Sequence, residues 1–165
     1  MVTIRNILFF TAFAMASLMY TISMADPAPQ PPPSICGTWM VRRLLQTGGV
    51  SISPEELKKL LGIRAIYSPS AMQFGDIVAT NPVYIVSRKS NDEFFSDNHI
   101  PISQLGIKSN TVLEVDVEHA DGKDVLGPGA VLFIRNANTI VTTWNGGYFE
   151  MARTGPCQRS DATNH

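Results

Sequence analysis

The chain has 165 residues, with 13 lysines and arginines against 14 aspartates and glutamates, and a formal net charge of −1 at neutral pH. Nucleic-acid-binding proteins normally carry a basic surplus or a basic stripe. The near balance of charge in this chain therefore argues against a nucleic-acid-binding protein. The length is sufficient for one domain with a sizeable hydrophobic core.

The N-terminus has the organisation of a secretory signal peptide at 1–25. Arg5 is its lone charge, an uncharged stretch follows at 7–24, and Ser23 and Ala25 are small residues at the −3 and −1 positions of a cleavage site. The alternative is an uncleaved membrane anchor, because the apolar run is nearly long enough to span a bilayer. After cleavage, we expect no integral membrane segment in the mature chain.

Three further segments follow the signal peptide. The stretch at 26–34, DPAPQPPPS, is predicted to be an extended proline-rich spacer. One globular domain is predicted at 35–157, followed by a flexible tail at 158–165.

The absence of an Asn-x-Ser/Thr sequon favours a bacterial periplasmic protein over a eukaryotic secreted one. We therefore expect a periplasmic or secreted location.

Two cysteines, Cys36 and Cys157, stand at opposite ends of the predicted domain. In an exported chain a single pair of cysteines predicts one disulfide bond, and the alternative is two unpaired thiols. A bond between the two would tie the start of the domain to its end.

One helix is predicted at 53–61, between the first two strands. Ser53 is a candidate N-cap, Pro54 suits the first helical position, and Glu56 completes a capping-box pattern with Ser53. Gly62 is a stop signal. The helix carries one apolar face, which predicts that it packs on a larger body. That face consists of Leu57, Leu60 and Leu61.

The rest of the domain has the patterns of β-strands bounded by turn residues. The predicted strands are 37–45, 63–68, 72–80, 82–90, 111–119, 130–135, 139–144 and 148–153. A short helical turn is predicted around 102–106, and the polar segment at 89–100 is predicted to be an exposed loop. Meander-like connections between short strands predict a mainly all-β fold, an up-and-down antiparallel barrel of about eight strands.

The closure of such a barrel makes the first and last strands antiparallel neighbours. The register that brings Cys36 to Cys157 also brings Trp39 to within one residue of Arg153. An arginine guanidinium can stack on an indole ring, which contributes about 0.5–2 kcal/mol. It can also donate hydrogen bonds to the chain ends. We therefore expect Trp39 and Arg153 to close the barrel.

The triplet Gly37-Thr38-Trp39 resembles the Gly-x-Trp motif that opens the first strand of lipocalins and their calycin relatives. In that family an arginine near the end of the last strand packs across the tryptophan, and Arg153 in GGYFEMAR is placed to do so. The resemblance covers the two ends of the domain and the strand count. The lipocalin Thr-Asp-Tyr motif is absent, and a helix at 53–61 is unusual for the family. The resemblance implies a divergent lipocalin-like barrel in which these residues are structural.

The chemistry-bearing residues favour no catalytic or metal site. His99, His119 and His165 have no ligand spacing, and the carboxylates at 114–124 are typical of a solvated strand face, with a calcium site as the alternative. Asp97 near His99 has the spacing of an acid–base pair but lies in a polar segment. The sequence therefore predicts a protein that is not an enzyme and that has no cofactor and no metal.

Because the sequence favours neither a catalytic site nor a metal site, we predict that the protein has a binding function. The first prediction is a carrier that holds a small apolar ligand in or at the mouth of the barrel. Phe149 and Met151 alternate with Arg153 and are predicted to face inward. Phe133, or else its neighbour Leu132, is also a candidate for the interior. The same residues can equally form a filled core without a cavity.

The alternative prediction is an inhibitor or immunity-type protein that binds another protein, for example a cell-wall hydrolase, through its loops. Phe94 and Phe95 lie among charges at 89–100 and are candidate interface anchors. The acidic segment 114–124 would suit a basic partner. A cavity would favour the carrier, whereas a sealed core with a projecting aromatic or acidic patch would favour the inhibitor.

Overall fold

The computed structural model describes residue 32, residues 34–47 and residues 53–157. The predicted signal peptide at 1–25, most of the spacer and the tail at 158–165 lie outside the described residues. The elements in chain order are β1 (Gly37–Thr47), α1 (Pro54–Leu60), β2 (Arg64–Tyr67), β3 (Ala71–Phe74), β4 (Ile77–Thr80), β5 (Val83–Ser90), α2 (Asn91–Asn98), a 3-10 helix (Ile102–Leu105), β6 (Thr111–Glu118), β7 (Val131–Asn136), β8 (Thr139–Trp144) and β9 (Gly147–Gly155).

The strands form one curled antiparallel sheet in the order β4-β3-β2-β1-β9-β8-β7-β6-β5. Every pair but one joins strands that are consecutive in the chain, as in an up-and-down meander. The exception is β1 beside β9, which brings the two ends of the domain together. The predicted mainly β, up-and-down architecture is confirmed, in the form of a half-barrel whose described edges are β4 and β5.

The strand count is nine rather than eight, because the predicted strand at 72–80 is a hairpin. The chain reverses after Phe74 and returns as β4, with Ala71 opposite Thr80. Gly75 occupies this turn with a φ of +57°, a conformation that glycine adopts without steric cost. The single glycine within an apolar run was therefore a turn signal.

The predicted loop at 89–100 is also different in the structure, because most of it is α2. Ser90 caps this helix, accepting a hydrogen bond from the Glu93 amide, while the Glu93 carboxylate accepts one from the Ser90 amide at 2.7 Å. Helix α1 has the predicted cap of the same kind between Ser53 and Glu56. The Ser-x-x-Glu spacing thus marks both helix starts.

The apolar face of α1 is only partly as predicted. Leu60 is buried, whereas Leu61 is 40% exposed because the helix ends at Leu60. The side chain of Leu57 lies outside the described residues.

The sheet buries one core on each face. The inner core lies on the concave side and draws on every strand. Its largest fully buried members include Trp39, Tyr67, Met72, Phe74, Leu132 and Phe149. The outer core lies between the opposite face and the layer of α2 and the 3-10 helix. It includes Phe94, Ile102, Leu105, Phe133, Val141 and Tyr148.

The connection between β6 and β7 crosses the inner core and joins the two sides of the curled sheet. The Tyr67 hydroxyl donates to the Gly129 carbonyl at 3.0 Å, and the Gly129 amide donates to the Thr142 hydroxyl at 3.0 Å. A Cβ at Gly129 would lie 2.5 Å from the ring of Phe74. The backbone at Gly129 therefore lies directly against the ring of Phe74 and leaves no room for a side chain at this position.

Candidate functional site

The two ends of the domain are joined by the side chain of Arg153. The predicted register is confirmed, because Trp39 pairs with Arg153 and the guanidinium lies 4.2 Å from the ring centre. Its nitrogens donate to three backbone carbonyls: Nη1 to Cys36 at 2.6 Å, Nη2 to Ser34 at 2.6 Å and Nε to Ala137 at 2.8 Å. Partial burial lowers the pKa of Arg153. The donors of this side chain are thus directed at the protein's own backbone.

Steric contacts explain why the first position of the Gly-x-Trp triplet is a glycine. Gly37 has a φ of +142°, and a Cβ there would lie 2.5 Å from Nη1 of Arg153 and 2.8 Å from the carbonyl oxygen of Gly155. The Trp39 indole nitrogen donates to the Ile35 carbonyl at 2.7 Å. Glycine at this position therefore leaves the space that the guanidinium occupies.

The predicted disulfide between Cys36 and Cys157 is present, with the two Cα atoms 4.8 Å apart. It fastens the same end of the barrel as Arg153, because the Cys36 carbonyl is one of the acceptors of the guanidinium. A disulfide is typical of proteins in oxidising compartments. These closure residues stabilise the scaffold.

The five candidate contact residues lie in three different environments. Phe149 and Met151 lie in the inner core, on the side that strand alternation predicts. Phe133 faces the other way, into the outer core, where it packs edge-to-face on Phe94 with ring centres 5.1 Å apart. Phe95 is 50% exposed, whereas the other four are at most 1% exposed. Of the five, only Phe95 is available to a partner in this state.

The centre of the inner core is filled. Trp39, Tyr67, Met72, Leu132 and Met151 all have an exposed fraction of 0%. A side chain with no accessible area touches no space large enough for a water molecule, whether that space is open or enclosed. Close packing of this kind is the normal state of a protein interior. The described side chains themselves therefore occupy the middle of the barrel.

Carboxylates line the outer side of β6 and define an acidic face, made of Glu114, Asp116, Glu118, Asp97 and Asp124. The first three alternate with inward-facing valines along the strand, as the sequence pattern predicts. Burial together with the charges of Glu114 and Asp124 raises the pKa of Asp116. Asp116, Glu118 and Asp124 also line a surface cleft of about 390 Å³.

One lysine compensates the buried end of this acidic face. Lys89 Nζ lies 2.7 Å from Asp97 and 2.9 Å from Glu114, which is only 6% exposed. The hydrogen bonds that Lys89 donates to Asp97 and Glu114 outweigh desolvation and raise the pKa of Lys89. Lys89 thus forms ion pairs with Glu114 and Asp97, whereas Asp116 forms none with the described residues.

His99 and His119 are the two histidines among the described residues. His99 is the C-cap of α2 and has a left-handed backbone conformation, and the nearby Asp97 carboxylate accepts a hydrogen bond from Lys89. His119 lies beyond the end of β6, and His165 is outside the described residues. In the described ranges, no group of three histidine, cysteine or acidic side chains is arranged to hold a metal ion.

Sequence reasoning missed two features of this region. Lys89 was not identified as the cation that joins α2 to the acidic face, although its charge among carboxylates was a signal. The exposed edge at β5 was also missed, because a closed barrel has no edge. Ile85 and Val86 of this strand are 43% and 48% exposed.

Comparison with known proteins identifies no relative. No protein-family model matches the sequence, and neither a curated protein nor a solved structure shows a significant match. Among the helices of the described residues, none is both long enough and apolar enough to cross a membrane.

Proposed function

We propose that this chain is an exported, non-enzymatic binding protein with a divergent lipocalin-like barrel, and that its partner is another protein. The closure formed by Gly37, Trp39 and Arg153 supports the lipocalin-like assignment. The disulfide supports export to the periplasm or the cell exterior. The partner is held on the outside of the barrel by the acidic face and Phe95.

The observation that carries this proposal is the filled inner core. A carrier of the lipocalin type needs an apolar space, and here Trp39, Tyr67 and Met151 occupy the place where a ligand would be enclosed. A ligand of this barrel would have to sit at the mouth. The carrier function stays a prediction, and we rank it second.

The surface supports a protein partner of basic character. Phe95 is half exposed on α2, within three residues of Asp92, Glu93 and Asp97. An exposed aromatic ring beside charged side chains is a typical anchor of protein interfaces. Lysines or arginines of the partner would complement the negative charges of Asp116, Glu118 and Asp124, which line one surface cleft. A basic cell-wall hydrolase of the lysozyme type has this chemistry.

The first experiment separates the two functions by mass. Native mass spectrometry of the protein purified from its own periplasm should show either the bare mature chain or a complex with a second protein. A reproducible small apolar adduct of defined mass would instead establish the carrier and overturn the protein-binding proposal.

The second experiment measures binding to a basic lysozyme-type hydrolase by calorimetry at two salt concentrations. We expect the variant Asp116→Asn/Glu118→Gln/Asp124→Asn to lose at least about tenfold in affinity, because surface charge governs complementarity. The control is Glu55→Gln/Asp76→Asn, which neutralises two exposed carboxylates elsewhere and is compared with the two-charge variant Asp116→Asn/Glu118→Gln as well. Equal affinity of both variants and the wild type would refute a role for the acidic face.

A further inference from the structure

The strand β5 ends the sheet and leaves one side of its backbone unpaired. Along its whole length, from Val83 opposite Glu118 to Ser90 opposite Thr111, it pairs with β6. In the described part of the chain, no strand pairs with its other side. An edge of this kind presents a row of backbone donors and acceptors to which another chain can add.

The centre of β5 is uncovered on both faces of the sheet. Ile85 on the outer face is 43% exposed and Val86 on the inner face is 48% exposed. Val115, which pairs with Val86 on the neighbouring strand, has an exposed fraction of 0%. The residues that bury Val115 on β6 therefore do not extend over Val86 on β5, although both side chains are valines.

The first five residues of this edge lack the devices that usually protect such strands. The stretch 83–87 contains neither proline nor charge, and the pairing of β5 with β6 has no bulge. The charged edge residues are Arg88, which is exposed, and Lys89, which Asp97 and Glu114 neutralise. Natural edge strands normally use proline, free lysines or bulges to prevent pairing. The long, regular and apolar centre of β5 is thus suited to receive a strand.

The opposite edge of the sheet is less suited. Strand β4 has four residues against the eight of β5. Its Ile77 is in close contact with Gly127, where a Cβ would lie 2.4 Å from the isoleucine side chain. Val78 is 54% exposed and makes β4 a matched control site.

We propose that β5 binds an extended basic segment of the partner protein as a tenth strand, an inference that rests on the proposed function. Outward side chains of the added strand lie beside Val83 and Ile85, two strand spacings from Glu118 and Asp116. Two spacings are about 10 Å, a distance that a long lysine or arginine side chain bridges. Apolar side chains on the other face of the added strand cover Val86.

A second copy of this chain fits the edge less well. Edge-to-edge pairing of two β5 strands about a two-fold axis would bring two acidic faces onto the same side of one sheet. The paired edges would bury less than the ~1,000 Å² that stable interfaces usually need. A basic segment contributes the complementary charge instead.

The test uses a defined peptide and the full mature protein. The probe is a nonapeptide of alternating lysine and valine, N-methylated along one edge so that it pairs through its other edge only. The control peptide has the same side chains and is N-methylated at every amide, which keeps the charge and removes the backbone donors. Fluorescence anisotropy gives the affinities, and amide hydrogen exchange shows which strand is covered.

We expect the probe to slow amide exchange in β5 and not in β4, and to bind at least about tenfold more tightly than the control peptide. Val86→Lys should weaken probe binding by a similar factor, whereas Val78→Lys adds the same charge and should not. Equal binding of both peptides, or equal effects of both variants, would overturn the inference.

Two further outcomes separate this inference from the proposed function. If the acidic-face variant loses hydrolase binding while β5 exchange is unchanged in the complex, the proposed function stands and the added strand is refuted. If sedimentation shows a dimer of this chain that Val86→Lys dissociates, the edge belongs to a second copy and the inference is also refuted.

Discussion

The guanidinium of Arg153 lies 4.2 Å from the ring centre of Trp39 and links the last strand of the sheet to the first. The same side chain binds the carbonyls of Ser34 and Cys36, just before β1, and that of Ala137, in the turn between β7 and β8. Three separate segments therefore depend on one residue.

Replacing Arg153 with alanine should destabilise the fold by about 3 kcal/mol or more, because charge-assisted hydrogen bonds and a cation–π contact are lost together. Urea denaturation measures the loss. Arg43→Ala is the control, since its side chain is 62% exposed and its removal should destabilise the fold much less. An unchanged midpoint for Arg153→Ala would contradict the closure argument.

The disulfide joins residues 121 positions apart, and its loss should cost about 4–5 kcal/mol in the chain-entropy model. We expect reductant to lower the melting temperature of the wild type and to leave that of Cys36→Ser/Cys157→Ser unchanged. The comparison isolates the disulfide from other effects of the reductant. Identical melting curves of oxidised and reduced wild type would show that the bond does not stabilise the fold.

The ion pairs of Glu150 should make stability depend on pH in the acid range. Hydrogen bonding and charge from Arg43, together with the charge of Arg135, lower the pKa of Glu150 below its ordinary value of 4.5. The unfolded chain therefore binds this proton first. The stabilisation is fully present above the ordinary value and is lost as the pH falls through the folded-state pKa.

Glu150→Gln should accordingly lower the free energy of unfolding by about 1 kcal/mol at pH 7. The difference from the wild type should disappear in acid, where the wild-type carboxyl is protonated. Denaturation curves at several pH values provide the measurement. A difference that persists unchanged in strong acid would mean that packing, and not charge, is responsible.

Gly129 offers a test of the sealed inner core. Its φ is +88°, and an added Cβ would meet the ring of Phe74, so Gly129→Ala should combine backbone strain with overpacking and cost more than about 2 kcal/mol. Gly122→Ala is a matched control, because Gly122 has a φ of +78° and open space around its Cα. The melting temperatures of the two variants should differ only by the effect of overpacking at Gly129. Equal melting temperatures would argue against a tightly sealed core.

Local patterns were sufficient to predict several features. The capping box at Ser53 and Glu56 identified α1, and the alternation at 111–119 identified β6. The register between Trp39 and Arg153 followed from antiparallel geometry once Cys36 and Cys157 were paired. These predictions depend on spacing along the chain, which the sequence states directly.

Other features depended on which segments meet in space. Alternation allowed either Phe133 or Leu132 to face inward, and the layer formed by α2 decided this by covering Phe133 from outside. The same apolar residues can line a cavity or fill it, and the zero exposed fraction of Trp39, Tyr67 and Met151 shows that the described side chains fill the centre.

By itself the sequence determined the strand-rich class, the first helix and the pairing of the chain ends, because these follow from local propensity and fixed spacing. Only the tertiary structure decided that the described side chains fill the interior, that β5 is an edge strand of the described sheet, and that Lys89 joins α2 to the acidic face. The physical reason is that burial and charge compensation are properties of groups distant in the chain, and folding alone brings those groups into contact.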